Sequence, residues 1–257
     1  MLRPTNQGGS GMKGMLWIGL LAFASAASAG GTKNEAVRFY ANARVVLDDQ
    51  GVPQQVVPNE RLPKIVRDQV EQRLLQWRFE PARVDGQNKA GVTYVFLDAC
   101  AVPQVDGGMR MALDYRSNGP ALAGAALVPH APRYPVDAAR SNREGSFRVM
   151  VNVGTDGLAT VGAIETRSGS LKSFEKALRD WVASLRYVPE EVDGRPVATQ
   201  LAMPVDFSLG GSTSRRLDRE RRAEMLDSAE CRAVTGQDAD PERPVVLDSP
   251  FKPITTG

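Results

Sequence analysis

The chain has 257 residues, of which 42% are hydrophobic and 24% are charged, a composition ordinary for a soluble globular protein. Its 32 basic and 30 acidic residues nearly balance, and no basic stripe is present, so nucleic acid is not expected as a partner. The single histidine, His130, lies in a proline-rich stretch and gives no support to a metal site or to histidine-based acid–base catalysis. No cofactor is expected.

Residues 1–29 have the features of an export signal. Arg3 and Lys13 form a positive region, an apolar run covers residues 15–24, and small residues precede a predicted cleavage before Gly30. Cleavage would remove those two basic residues and leave 30 of each sign. The alternative is an uncleaved membrane anchor, for which the run is short compared with the ~20 residues that a spanning helix needs. We therefore predict an exported protein.

Residues 30–100 form a first predicted module with the order strand, strand, helix, strand. In chain order the strands are predicted at 41–47 and 52–57, the helix after Pro63, and the last strand at 91–97. The helix is predicted because apolar side chains recur on one face, at Val66, Val70, Leu74 and Trp77.

Residues 129–210 repeat this order and form a second predicted module. Its strands are predicted at 147–153 and 158–166, its helix over 174–185 and its last strand at 199–209. Trp77 and Trp181 are both interpreted as core residues, since burying an aromatic side chain contributes roughly 1.5–3 kcal/mol.

One short pattern occurs in both modules, at residues 77–86 and 185–194. Each copy has an Arg, an aromatic residue, a Pro two positions later and then Val-Asp-Gly. Internal similarity of this kind indicates one module present twice. The pairs Asp85-Gly86 and Asp193-Gly194 are interpreted as turns that lead into strands and not as catalytic carboxylates. No enzymatic activity is predicted.

Two segments lie outside the modules. Residues 101–128 are predicted to hold a connecting strand and an Ala/Gly/Pro-rich linker, and residues 211–257 a charged helix and an extended tail. The two cysteines, Cys100 and Cys231, suggest one disulfide in an exported protein, tying the first module to the tail. The alternative is two unrelated thiols.

The second module resembles a known family. The residues that carry the resemblance are, in order, Pro132-Arg133-Tyr134-Pro135, Glu144-Gly145, Asp156-Gly157, Ser168-Gly169, Trp181, Tyr187-Val188-Pro189 and Met203-Pro204-Val205-Asp206-Phe207. Their order and spacing resemble the C-terminal domain of TonB, the periplasmic energy transducer of Gram-negative bacteria, over about residues 129–210. The first module resembles this domain more weakly, because it lacks the Tyr-Pro lead-in and the Glu-Gly pair.

The resemblance implies an α+β fold, here two tandem β-β-α-β modules, each a small antiparallel sheet packed by one helix. It also implies recognition of extended segments of outer-membrane transporters, which add as a strand to an exposed sheet edge. The expected edge is Gln200, Leu201, Ala202 and Met203. On this hypothesis Leu201→Pro removes an edge donor and abolishes partner binding without unfolding the module.

Arg133, Tyr134 and Pro135 correspond to the family's lead-in beside the ligand groove. Arg133 stands where the family typically has Gln, and Tyr134-Pro135 has an alternative interpretation as scaffold that guides the chain into a helix. These three residues complete the expected partner contacts.

The predicted function is non-enzymatic recognition of protein segments in the periplasm, linked to TonB-dependent transport. One alternative is an anchored energy transducer with a retained N-terminal helix, although the chain has no Pro-rich arm. A second alternative is a closed scaffold, in which the edge strands pair with each other or with the tail. The oligomeric state is left open.

Overall fold

A computed structural model of the chain describes residues 37–103, 109–124, 129–210 and 245–255. The predicted export signal, the predicted charged helix and Cys231 lie outside these ranges. No helix within the described ranges is long and apolar enough to cross a membrane.

The first half of the chain builds a sheet around two long paired strands, β1 (Val37–Leu47) and β6 (Gly91–Pro103). Its elements are β1 (Val37–Leu47), β2 (Pro53–Pro58), α1 (Lys64–Leu74), β3 (Arg78–Glu80), β4 (Ala82–Val84), β5 (Gln87–Lys89), β6 (Gly91–Pro103), β7 (Met109–Gly119) and β8 (Ala121–Leu122). β1 pairs with β2 on one side and with β6 on the other. The free side of β6 pairs with β7. α1 buries Val66, Val70 and Leu74, as the helical spacing predicts.

The second half, residues 129–210, builds a second sheet and packs helices against it. Its elements are α2 (Val136–Arg140), β9 (Gly145–Val153), β10 (Ala159–Ser168), a 3₁₀ turn (Leu171–Ser173), α3 (Glu175–Ser184), β11 (Tyr187–Val188), β12 (Glu191–Val192), β13 (Arg195–Pro196) and β14 (Thr199–Phe207). β9 pairs with β10 and β14, so it occupies the position that β1 has in the first half. α3 buries Leu178, Trp181 and Val182.

The tail adds two short strands, β15 (Val245–Val246) and β16 (Lys252–Thr255). β15 pairs with β14 in the second half, and β16 pairs with β3 in the first half. The halves also share a sheet, because β12 of the second half pairs with β6 of the first. Strands in the described ranges pair antiparallel and helices are few, which confirms the α+β class.

Two hydrophobic cores lie under the two principal sheets. The first contains Trp77 and Phe79 and takes in Phe251 from the tail. The second contains Trp181 and a cluster of aromatic rings around Phe174. Trp77 is 1% exposed and Trp181 6% exposed, so their predicted place in the core is confirmed.

The repeated Val-Asp-Gly motifs form tight hairpin turns. Asp85 and Gly86 have φ values of 51° and 78°, and Asp193 and Gly194 have φ values of 53° and 72°. Two successive residues at positive φ are the requirement of the type I′ turn, for which Asp-Gly is a preferred pair. These turns join β4 to β5 and β12 to β13. The interpretation of the two aspartates as turn residues is therefore confirmed.

Each half also places a turn glycine against the repeated aromatic residue. The Phe79 amide donates to the Gly51 carbonyl over 3.0 Å, and the Tyr187 amide donates to the Gly157 carbonyl over 2.9 Å. A Cβ on Gly51 would overlap the carbonyl oxygen of Phe79, and a Cβ on Gly157 would overlap that of Tyr187. Only glycine fits this contact.

We predict that Gly157→Ala destabilises the protein more than Gly194→Ala does. Both glycines have positive φ, but a Cβ at Gly194 meets nothing within 4 Å, whereas one at Gly157 meets the Tyr187 carbonyl. The left-handed conformation costs about 1–2 kcal/mol in each variant. Overpacking adds about 1–3 kcal/mol for Gly157→Ala alone. Urea unfolding measures both free energies, and equal losses would contradict the crowded geometry.

Candidate functional site

The tail covers the first part of the outer edge of β14. Leu201 lies opposite Val246 and Ala202 lies opposite Val245 in an antiparallel register. The Leu247 amide donates to the Gln200 carbonyl over 3.0 Å, and the Gln200 amide donates to Asp248 Oδ1 over 2.6 Å. The expected partner edge is therefore occupied at Gln200–Ala202 by an extended segment of the same chain.

The direction of the backbone groups along β14 separates the expected edge residues into two kinds. The amide and carbonyl of Gln200 both point to the tail, and in a strand these groups alternate from one residue to the next. Ala202 therefore also faces the tail, whereas Leu201 and Met203 bond toward β9. The side chains of Leu201 and Met203 are 8% and 6% exposed and belong to the second core.

This geometry corrects the choice of Leu201→Pro as an edge variant. Proline at position 201 would remove a bond inside the β9–β14 ladder and a buried side chain, so the domain itself would be damaged. Gln200→Pro is the suitable variant, because the Gln200 amide points outward and its side chain is only half-buried.

Beyond β15 the tail enters a buried polar cluster. Ser249 donates its hydroxyl to Glu190 Oε1 over 2.8 Å, and Thr93 donates to the same oxygen over 2.6 Å. Asn118 Nδ2 donates to Ser249 Oγ and to the Phe251 carbonyl, each over 2.8 Å. We call Thr93, Asn118, Glu190 and Ser249 the buried polar cluster. It joins β6 and β7 of the first half, the Pro189–Val192 connection of the second, and the tail.

Burial dominates the electrostatics of this cluster. Glu190 is fully buried, and this burial raises the pKa of its carboxyl to about 7. The hydroxyl bonds from Thr93 and Ser249 lower the pKa, and the nearby negative charge of Asp248 raises it. Burial also raises the pKa of the Tyr115 phenol to about 12, and this phenol donates to Asn118 Oδ1 over 2.6 Å.

Two glycines leave room for apolar side chains of the tail. A Cβ on Gly91 would overlap the ring of Phe251, which is 0% exposed in the first core. A Cβ on Gly119, where φ is +152°, would come within 2.7 Å of Val246 Cγ2. The tail therefore fits closely at Val246, before the polar cluster, and at Phe251, after it.

The lead-in residues lie at the other end of β14. Tyr134 packs its ring edge-on against Phe174 and Phe207, and its hydroxyl donates to the Arg143 carbonyl over 2.6 Å. Since Phe207 is seven residues from Gln200, these positions are separated by roughly 20 Å along the strand. Tyr134 therefore packs against the second core, and it also lines the groove beside α3.

An open groove of about 650 Å³ runs between the lead-in and α3. Arg133, Pro135 and Trp181 contribute to its lining, and the Trp181 indole donates to the His130 carbonyl over 2.5 Å. The groove and the edge at Gln200–Ala202 are two different surfaces, so the structure does not bring all expected partner residues together.

Cys100 is fully buried on β6, where it lies opposite Arg38 on β1 and Ala112 on β7. Its predicted partner, Cys231, lies outside the described residues, and the disulfide stays a prediction. In the part of the chain that the structure describes, no group of three or more His, Cys, Asp or Glu side chains is arranged to hold a metal ion.

Sequence reasoning missed the buried polar cluster, although the repeat contains a signal for Glu190. The repeated motif aligns Glu190 with Ala82, since each directly follows the motif proline. Ala82 is 1% exposed and Glu190 is 0% exposed. A carboxylate at a position that is small and apolar in the other copy indicates a buried ionisable group. Ser249 and Asn118 carry no comparable pattern.

We predict that Glu190→Gln removes part of the pH dependence of stability. The folded chain holds a proton on Glu190 between its ordinary pKa of 4.5 and about 7, and the unfolded chain does not. Stability from this group is therefore full below pH ~4.5 and is lost as pH rises to about 7, by on the order of 3 kcal/mol at most.

Urea unfolding at pH 5 and pH 8 measures this effect. The loss of stability between the two values should be smaller in Glu190→Gln than in the natural chain. Glu191→Gln, the neighbouring residue on β12, is the matched control and should keep the natural slope. Parallel curves for the natural chain and Glu190→Gln would contradict the prediction.

The second half of the chain matches a known protein family. Residues 130–209 match the family model of the Gram-negative bacterial TonB protein C-terminal. No curated protein matches the chain. The match covers α2 through β14, the elements that form the second core and carry the tail-covered edge. This segment of the chain is therefore similar to the TonB C-terminal family, whose domains interact with other proteins.

Proposed function

We propose that this protein recognises extended protein segments in the periplasm, by strand addition to the outer edge of β14. The single observation that carries the proposal is the tail itself, which pairs with Gln200–Ala202 as an added antiparallel strand. A short strand pairs by backbone hydrogen bonds, so the same donors and acceptors serve any segment that adopts this register. The tail is then a resident occupant that a partner displaces.

The partners proposed are segments of outer-membrane transporters. The family of residues 130–209 supports this class, because TonB-type domains are envelope proteins that interact with such transporters. Specificity would come from side chains that alternate along the added segment and contact the surfaces next to the edge. No enzymatic step is part of the proposal.

We further interpret the two halves as tandem copies of one module. The central strand β1 pairs with β2, which follows it in the chain, and with β6. In the same way β9 pairs with β10, which follows it, and with β14. The repeat aligns Val92 of β6 with Gln200 of β14. Both receive an extended segment on the outer side, Val92 from β12 and Gln200 from the tail. In the first copy, β7 covers the rest of the edge, so we assign partner binding to the second copy.

The closed scaffold is a second candidate, and the same pairing favours it. In that case the tail would remain on β14 permanently and no partner would reach Gln200. The buried contacts of Phe251 and Ser249 support a firmly docked tail. The two candidates differ in whether release of the tail leads to partner binding.

We predict that release of the tail increases capture of transporters and that Gln200→Pro abolishes it. The bait is residues 30–257, the chain without its predicted export signal. Phe251→Ala removes the buried tail anchor and should raise capture from detergent-solubilised outer membranes. Combining it with Gln200→Pro removes an outward amide donor and should reduce capture at least roughly tenfold, since edge pairing depends on these bonds.

The matched control is Gln200→Ala in the same Phe251→Ala chain. It keeps the backbone amide and should capture as much as Phe251→Ala alone. Quantitative mass spectrometry compares capture by the parent, by Phe251→Ala and by the two double variants. Capture that is insensitive to Gln200→Pro would overturn strand addition at this edge. Capture that is absent from every bait, including the folded Phe251→Ala chain, would favour the closed scaffold.

A further inference from the structure

We propose that the tail site is selective for one chemical class of segment: an extended peptide that carries a hydroxyl residue two positions before a phenylalanine and has a run of three apolar residues ahead of them. The tail has this pattern in Val245-Val246-Leu247-Asp248-Ser249-Pro250-Phe251. The inference rests on the proposed function, because it names which partner segments the β14 edge accepts.

The hydroxyl is favoured because it forms hydrogen bonds with two buried side chains of the polar cluster. Ser249 Oγ accepts from Asn118 and donates to Glu190, and both of those side chains are buried. A segment with alanine in this place would leave a buried amide hydrogen and a buried carboxyl oxygen without this partner. A site built to bond a hydroxyl discriminates against ligands that lack it. Here the loss is two buried hydrogen bonds, while Thr93 still bonds Glu190 and Asn118 still bonds the Phe251 carbonyl.

The phenylalanine is required because its seat is fully enclosed. Phe251 is 0% exposed. Its ring occupies the space beside Gly91, and the Cβ of any other residue at position 91 would overlap that ring. The carbonyl of the same residue accepts from Asn118 Nδ2 over 2.8 Å. One side chain, Asn118, therefore contacts both the hydroxyl and the aromatic residue and fixes the spacing between them.

The edge of β14 fixes the direction and the start of the segment. Leu247 pairs with Gln200, and Val246 packs against Gly119. From this point the chain has two residues to reach Ser249, whose hydroxyl also accepts from the Phe251 amide over 3.2 Å. The recognition elements thus lie in one continuous path from β14 to the first core.

A binding assay with synthetic peptides tests the selectivity. The receptor is residues 30–257 with Phe251→Ala, whose own tail no longer fills the aromatic seat. The probe is a fluorescein-labelled peptide of residues 244–255, and the variants are Ser249→Ala, Phe251→Ala and Ile254→Ala peptides. Ile254 is 63% exposed and serves as the matched control.

The natural and Ile254→Ala peptides should bind equally. The other two should bind roughly tenfold or more weakly, the loss expected from two missing buried hydrogen bonds or from an empty aromatic pocket. Adding Asn118→Ala to the receptor should reduce the discrimination against the Ser249→Ala peptide, because the amide that senses the hydroxyl is gone. Equal binding of all peptides, or no binding to a folded receptor, would overturn the proposal.

If the Phe251→Ala receptor does not fold cooperatively, the natural chain replaces it. Excess unlabelled peptide should then accelerate hydrogen exchange at the receptor's own Leu247 amide, and the Ser249→Ala peptide should not. Unchanged exchange with both peptides would overturn the selectivity. The proposed function is tested separately by transporter capture. If capture requires Gln200 but the peptides show no selectivity, strand addition at β14 is retained and only the proposed peptide pattern is refuted.

Discussion

The structure depends on one buried carboxyl group, that of Glu190. A buried carboxyl is costly unless its oxygens are hydrogen-bonded or it holds a proton. Here the hydroxyl partners come from Thr93 in the first half and Ser249 in the tail, while Glu190 itself belongs to the second half. No segment can satisfy this group alone. Docking of the two halves and docking of the tail are therefore coupled through a single site.

This coupling also explains how the outer edge of β14 is kept covered. An uncovered strand edge invites pairing with other chains. The outer edge of β6 is covered by β7 over ten paired positions, whereas the tail strand on β14 spans only Leu201 and Ala202. A two-residue strand is marginal by itself, so its position must be held by contacts further along the tail. Ser249 and Phe251 supply those contacts, and the edge of β14 is consequently closed by interactions located outside it.

The sequence predicted the features that local patterns encode. The α+β class, the helical faces of Val66 and Leu178, the Asp-Gly turns and the buried tryptophans follow from periodicity and turn chemistry. The outward direction of Gln200 could not be predicted, because it depends on the register between β9 and β14, and a shift of one residue reverses it. The place of Ser249 and Phe251 could not be predicted either, because an extended segment has no periodic pattern that indicates its contacts.

The tail is part of the same chain as the edge of β14, and it competes with any partner that binds there. A segment on the same chain competes at a high effective concentration, so a partner must displace this local competitor. A generic extended segment offers only backbone bonds at Gln200 and Ala202, which the tail already makes, and it cannot complete the bonds of Asn118 and Glu190. Only a segment that reproduces the hydroxyl and aromatic contacts exchanges with the tail at comparable free energy. On the proposed function, access to the edge is therefore governed by the fit of the partner to the tail site, and not by the edge strand alone.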